Sequence, residues 1–261
     1  IIAAVSAYSF VLATGNLDFS IGANMGVSCA ISCIAAHINP VLAIPAGVLT
    51  GSIIGLVNAT ISVKLNINAF ITTLAMMFVC NGLTVMILGN GAMGAPIAML
   101  KWFSAPLKLI VILFFAVGGY FTFEHTAYGK RLRAIGACPE AVRQSGVNVT
   151  LHKFMTFIIM GATCGFLGFI SLIRTGTAST GTGSSLMMNA LNAVLIGGMP
   201  LGGGPTSKFR SVILGSIIIL IMESGMVILQ FDNITTQLVK ALVFIIAVGI
   251  SFDRKNVKVI K

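Results

Sequence analysis

The chain has 261 residues, of which 57% are hydrophobic and only 8% charged, and its mean hydropathy is +1.03. A soluble domain carries about 25% charged residues, so the polar surface here is too scarce to cover a water-soluble core. The net charge of +10 would suggest nucleic acid on a soluble protein. On a chain this apolar it points instead to cytoplasmic loops, where Lys and Arg accumulate, and no nucleic-acid partner is expected.

No Asp, Glu, Lys or Arg occurs from Phe19 to Val63, Leu65 to Leu100, Phe154 to Ile173, or Thr175 to Ser207. A helix needs about 20 apolar residues to cross the hydrocarbon core, and the longest runs hold two passes each. Stretches such as VILGSIIILIM (212–222) do not alternate as barrel strands must. The predicted fold class is therefore all-α, a polytopic membrane protein. In chain order the apolar segments are 1–14, 19–36, 40–60, 69–88, 106–124, 153–173, 186–200, 211–231 and 236–252. Ile1 to Thr14 is short for a crossing, so a preceding span is expected to be missing, giving about nine spans here and about ten in the full-length chain. The tail DRKNVKVIK (253–261) reads as the C-terminus.

Charge sets the orientation. With the polar stretch 129–149 placed inside the cell, 12 of the 16 basic residues fall inside, the tail among them. Lys101, Lys108, Arg174 and Lys240 fall at the outer side, and Trp102 beside Lys101 is an interfacial anchor. Gly47, Gly51 and Gly55, Gly22 and Gly26, and Gly161 and Gly165 each line one helical face, where another helix can approach. The repeated GSII at 51–54 and 215–218 suggests a faint inverted repeat of four spans each, a transporter feature. The five cysteines form no CxxC pair and read as small apolar filler; no metal ligand set, cofactor motif or catalytic group stands out.

Polar groups inside spans are costly and mark function. Asn189 and Asn192 are three apart on one helical face, in a short segment between GTGSS and GGMPLGGG, and short Gly-interrupted segments point to transport sites. Asn81 and Thr84 form a similar pair. Asp18 is expected at the inner end of a span and Glu223 in the outer half of another. These six are candidates for a translocation path. The alternative is hydrogen bonding between helices, with Glu223 simply paired to Lys240. His37, His125 and His152 fall near span ends.

The stretch GKRLRAIGACPEAVRQSGVNV (129–149) is the one dense polar island. Pro139 suits the first helical position, Glu140 the positive end of the helix dipole, and Gly146 the C-terminal stop. A helix of about two turns over 139–145 is predicted, too short to stand alone. It is therefore expected to dock on lipid phosphates or on an acidic protein groove; the alternative is a solvated loop that happens to be helical.

PEAVRQSG resembles the EAA---G signature of bacterial ABC importer permeases, with Glu140, Ala141 and Gly146 in register and Val142 where a second Ala is usual. GNLDFSIG (15–22) is similar to the GG-hydrophobic-DLSVG motif of the ribose, xylose, galactose and autoinducer-2 branch, with Asn16 in place of the second Gly. INAFITTLAMM (67–77), YGKRLRAIGACPEAVRQSGVNV (128–149) and NAVLIGGMPLGGG (192–204) are similar to further segments of that branch, in order over nearly the whole chain. Asn68, Ala69, Met188, Asn189 and Asn192 depart from its usual residues.

The resemblance implies a single transmembrane permease domain over 1–261, with 129–149 as a cytoplasmic coupling loop. Pro139, Glu140, Ala141, Arg143 and Gly146 would meet an ATPase. It also implies cytoplasmic ABC ATPase subunits, a second permease subunit in a homo- or heterodimer, and an extracytoplasmic solute-binding protein, in the bacterial cytoplasmic membrane with the C-terminus inside. The solute would be a monosaccharide or similar small polar molecule. The chain itself has no G-x-x-x-x-G-K-[ST]; Gly129–Lys130 is followed by Arg131. It therefore lacks a phosphate-cradling loop, and hydrolysis must come from a partner. Permeases for nucleosides or branched-chain amino acids and a secondary transporter remain as alternatives. An intramembrane enzyme is disfavoured by the lack of any Ser/His, paired-Asp or H-E-x-x-H constellation.

Overall fold

A computed structural model describes residues 1–89 and 91–251. The basic tail, and with it four of the residues that set the expected orientation, lies outside the described residues. The chain folds as a helical bundle with one two-stranded ribbon. Helices α1 (Ile2–Ala13), α2 (Ile21–Ile38), α3 (Pro40–Lys64) and α4 (Ala69–Leu88) come first. Strand β1 (Ala92–Gly94), a one-turn helix (Ile97–Leu100) and α5 (Ala105–His125) follow. Next come α6 (Ala127–Ala137), α7 (Pro139–Gln144), α8 (Val149–Thr175), β2 (Thr177–Ser179), α9 (Leu186–Ile196), α10 (Phe209–Ile228) and α11 (Asn233–Ser251). Among the described residues, α2, α3, α4, α5, α8 and α10 are long and apolar enough to cross a membrane. We call the end carrying α7 the island end and the opposite end distal.

Local chemistry fixes the boundaries. The Asn68 side chain accepts the Phe70 N–H (2.9 Å) at the start of α4, and Asn148 accepts the Leu151 N–H (2.9 Å) at the start of α8. Each satisfies a donor that the first turn leaves free. Helix α5 contains two wide π turns, Phe114–Gly118 and Phe121–His125, the kind of local widening that often marks a functional segment.

Helix α1 is the hub, with every residue from Ala3 to Ala13 buried. Its Tyr8, Phe10 and Leu12 join Phe123, Leu132, Phe157 and Phe209 in the largest apolar cluster, with Phe10 edge-on to Phe123 at 5.5 Å between ring centres. Outward faces stay apolar: Leu49 and Ile53 on α3, Ile110 and Phe114 on α5, and Leu214 and Ile221 on α10 are all exposed. An apolar collar of that extent suits lipid or another membrane subunit.

The tightest contact joins α3 to α8. A Cβ added to Gly51 would lie 2.2 Å from the Gly161 carbonyl oxygen, and one added to Gly161 would lie 2.3 Å from that of Gly51. A Cβ added to Gly165 would lie 2.2 Å from the Gly47 carbonyl oxygen, so the two backbones touch along the stripe, as close approach through small residues allows. Gly22 and Gly26 depart from the expectation. What approaches them is not a helix but the loop carbonyls of Gly183 (2.4 Å from an added Cβ) and Thr182 (3.0 Å).

Three further expectations are corrected. The segment 186–200 yields a helix ending at Ile196, about 16 Å long at 1.5 Å per residue, which cannot cross alone. The island contains two helices, since Lys130, Arg131 and Arg133 sit on α6, with Leu132 and Ile135 buried beneath them. The ribbon is a small departure from all-α structure: β1 and β2 pair antiparallel, Met93 opposite Ala178, at the distal end.

Candidate functional site

Two interruptions of the helical bundle come together. The first is the break between α1 and α2, residues 14–20. Asp18 lies there, buried at 3% exposure, three residues before the start of α2. Its Oδ1 accepts the Ser20 N–H (2.8 Å) and hydroxyl (2.6 Å). Asn58 of α3 donates to the Ser20 hydroxyl oxygen (2.8 Å), and the Phe19 N–H donates to Thr73 of α4 (3.1 Å). The break is therefore pinned by two neighbouring helices. Within α2, Asn24 donates to the Gly51 carbonyl (3.3 Å) and accepts from Ser28 (3.2 Å).

The second interruption is the loop 180–185, which meets the start of α2 backbone to backbone at Gly22 and Gly183 and leads into α9. Here Asn189 and Asn192 are both buried, as their spacing predicts. The Asn189 amide donates to the Glu223 carboxylate of α10 (2.8 Å), and Asn192 donates to the Lys240 carbonyl of α11 (3.4 Å). The Lys240 ammonium bonds the same Glu223 oxygen. The side-chain surface of Glu223 is 28% open and that of Lys240 only 9%, so the node faces outward through its carboxylate. The Oδ1 atoms of Asn189 and Asn192 and the hydroxyls of Ser6, Tyr8 and Ser216 are buried without a partner. Buried polar atoms are normally paired, and the two amide oxygens, three residues apart on α9, are acceptors left without a donor.

Not every predicted residue joins. Asn81 is exposed on α4, whereas Thr84 is buried and donates to its own helix at Cys80 (2.9 Å); the structure does not bring them together as a site. His37 bonds the Gly94 carbonyl (3.0 Å) and His152 stacks on Tyr128, both at span ends. The cysteines form no disulfide. Sequence reasoning missed Asn24 and Asn58, which the rule that selected Asn81 would have flagged, since both are amides inside apolar runs.

At the island end, α7 has no buried residue. Pro139 opens it, Glu140 and Arg143 stand on it, and Gly146 ends it with φ +84°, a conformation that a side chain disfavours. A cleft of about 580 Å³ opens beside it. Asn16, Asn66, Asn68, Glu140, Arg143 and Lys153 are among its walls, so it joins the α1–α2 break, the α3–α4 turn and the short helix in one polar surface. Among the described residues no group of three or more His, Cys, Asp or Glu is placed to hold a metal.

Glu124 was absent from the predicted residues, and no pattern in the sequence marks it. It closes α5, binds Arg133 of α6 (2.9 Å) through one carboxylate oxygen, and accepts the Phe209 N–H of α10 (2.7 Å) through the other.

Residues 1–248 match the family described as branched-chain amino acid transport system / permease component. The ribose import permease protein RbsC of Escherichia coli (strain K12) is 26% identical over 254 residues, covering 92% of this chain and 78% of its own. The L-arabinose ABC transporter permease protein AraH of Azospirillum brasilense is 30% identical over 259 residues, with 95% and 75% covered. RbsC of Bacillus subtilis (strain 168) is 31% identical over 262 residues, with 95% and 79% covered. No solved structure is significantly similar to the chain. A multi-pass bundle with interrupted helices and an exposed short island helix, matched over nearly its whole length, belongs to the branched-chain amino acid transport system / permease component family.

Proposed function

We propose that the chain is the membrane-spanning permease of an ATP-driven ABC importer that moves a monosaccharide or similar small polar solute across the bacterial cytoplasmic membrane. The observation that carries this reading is the agreement of ribose and arabinose permeases as relatives along more than nine tenths of the chain. The buried unpaired amide oxygens of Asn189 and Asn192 on α9 support it, because a sugar offers hydroxyl donors to such acceptors. Lys240 and Glu223 pair with each other. The family description favours the second reading, a branched-chain amino acid as solute, and labelled ribose against labelled leucine separates the two.

In this reading the α7 surface, with Pro139, Glu140, Ala141, Arg143 and Gly146, seats an ATPase subunit, and the island end is cytoplasmic together with the C-terminus. A second permease copy or homologue completes the path, and a solute-binding protein delivers to the distal end. Asp18, Asn189, Asn192 and Glu223 line the route; Asn81 and Thr84 are not brought together as a pair. The test is reconstitution in vesicles with the ATPase. Glu140→Ala or Gly146→Val is expected to leave the permease folded and the ATPase active while lowering solute uptake by about tenfold or more, the loss expected when a positioned contact is misplaced. Uptake by the unaltered permease with no ATPase present would refute the reading.

A further inference from the structure

Glu124 occupies a junction that the predicted site residues do not explain. Its two carboxylate oxygens serve two different elements: one the Arg133 guanidinium on α6 (2.9 Å), the other the first backbone N–H of α10, at Phe209 (2.7 Å). The surroundings hold that geometry. Arg133 also lies over the Phe123 ring at 5.4 Å. Phe209 is fully buried, 5.9 Å from Phe123, with its ring against Gly119, where an added Cβ would come within 2.5 Å. Charge-assisted hydrogen bonds are among the stronger ones, and this carboxylate makes two.

The junction sits between the island and the polar node. Helix α6 leads directly into α7 through Cys138, so Arg133 moves with the short helix. Helix α10 carries Glu223 farther along and packs tightly on α9: an added Cβ on Gly197 would lie 1.9 Å from the Ser211 carbonyl, and one on Gly215 would lie 1.6 Å from that of Ala193. Those contacts leave α9 and α10 little room to slide independently, because close-packed backbones transmit displacement. A displacement of α6 therefore reaches Asn189 and Asn192 by one continuous set of contacts, in which Glu124 supplies the ionic link from α6.

We infer that Glu124 is a positioning residue for coupling: it transmits movement of the α6–α7 island to α10 and so to the α9 polar face. The inference rests on the importer reading above. It is tested in vesicles containing the permease with its ATPase and solute-binding partners, by measuring solute taken up per ATP hydrolysed. Glu124→Gln keeps an oxygen for the Phe209 N–H and removes the charge that holds Arg133. The expected result is a fall of about three- to thirtyfold in that ratio, with an unchanged KM for the liganded binding protein and an unchanged melting temperature. Arg133→Met should give the same fall, and the double variant should be no worse than either, as expected for two residues acting through one link.

A normal ratio in Glu124→Gln overturns the inference, and so do additive losses in the double variant. A lowered melting temperature with an unchanged ratio assigns Glu124 a structural role alone and also overturns it. The unaltered complex distinguishes this failure from that of the importer reading: transport without ATP there removes both.

Discussion

Glu223 and Lys240 set the chemistry at the residue scale. A carboxylate and an ammonium inside apolar helices are tolerated because they meet each other, and Asn189 adds a third partner. Removing one member of a fully buried pair costs about 3–5 kcal/mol, because the other charge is left without a counter-ion, and a part of that cost applies here, where the Lys240 side chain is only 9% open. Glu223→Ala should therefore lower the melting temperature in detergent sharply. The double variant Glu223→Met with Lys240→Met should recover most of that loss while uptake stays low, if the node meets solute. Recovery of both would assign the pair to packing alone. Asn189→Ala leaves the ion pair intact and should lower uptake with little change in melting.

Helix ends and helix seams decide matters at the element scale. Gly161→Leu would drive a side chain into the α3 backbone. Overpacking of this kind costs about 1–3 kcal/mol, occasionally more, so the variant should elute as aggregate on size exclusion where Gly118→Leu, with open space around it, does not. At the start of α11, Asp232 accepts the N–H and the hydroxyl of Thr235, and the hydroxyl holds its carboxyl below the usual carboxylate range. A carboxyl whose folded value is depressed contributes stability above its unfolded value of about 3.9, lost as pH falls through the folded value. Melting curves of the parent and Asp232→Ala should therefore differ at neutral pH and converge in strong acid.

Much of this level was legible in advance. The Pro139, Glu140 and Gly146 signals bound α7 closely, and Asn189 and Asn192 share the face their spacing demands. The α6 helix was missed because its three basic residues masked an apolar stripe, Tyr128, Leu132 and Ile135, at spacings of four and three. What spacing cannot supply is the partner from a distant helix. Glu223 lies 34 residues from Asn189, and Phe209 lies 85 from Glu124, and periodicity within one helix carries no information about which neighbour it meets. Asn81 is an amide in an apolar span that is exposed on α4, because burial belongs to the packing rather than to the segment.

The whole molecule divides by how its parts can move. At Gly51 and Gly55 of α3 and Gly161 and Gly165 of α8, an added Cβ would meet only backbone atoms of the facing helix. Side chains are the compliant material of a helix interface, since rotamers can change while backbones stay put. A seam without them has nothing to yield, so α3 and α8 act as one stiff bar through the bundle. Any alternation between inward and outward openings must then be carried by the parts that lean on this bar, with α9, α10 and α11 turning against a fixed frame. Spin labels on α3 and α8 would keep one separation throughout a transport cycle, while labels on α8 and α10 would show two.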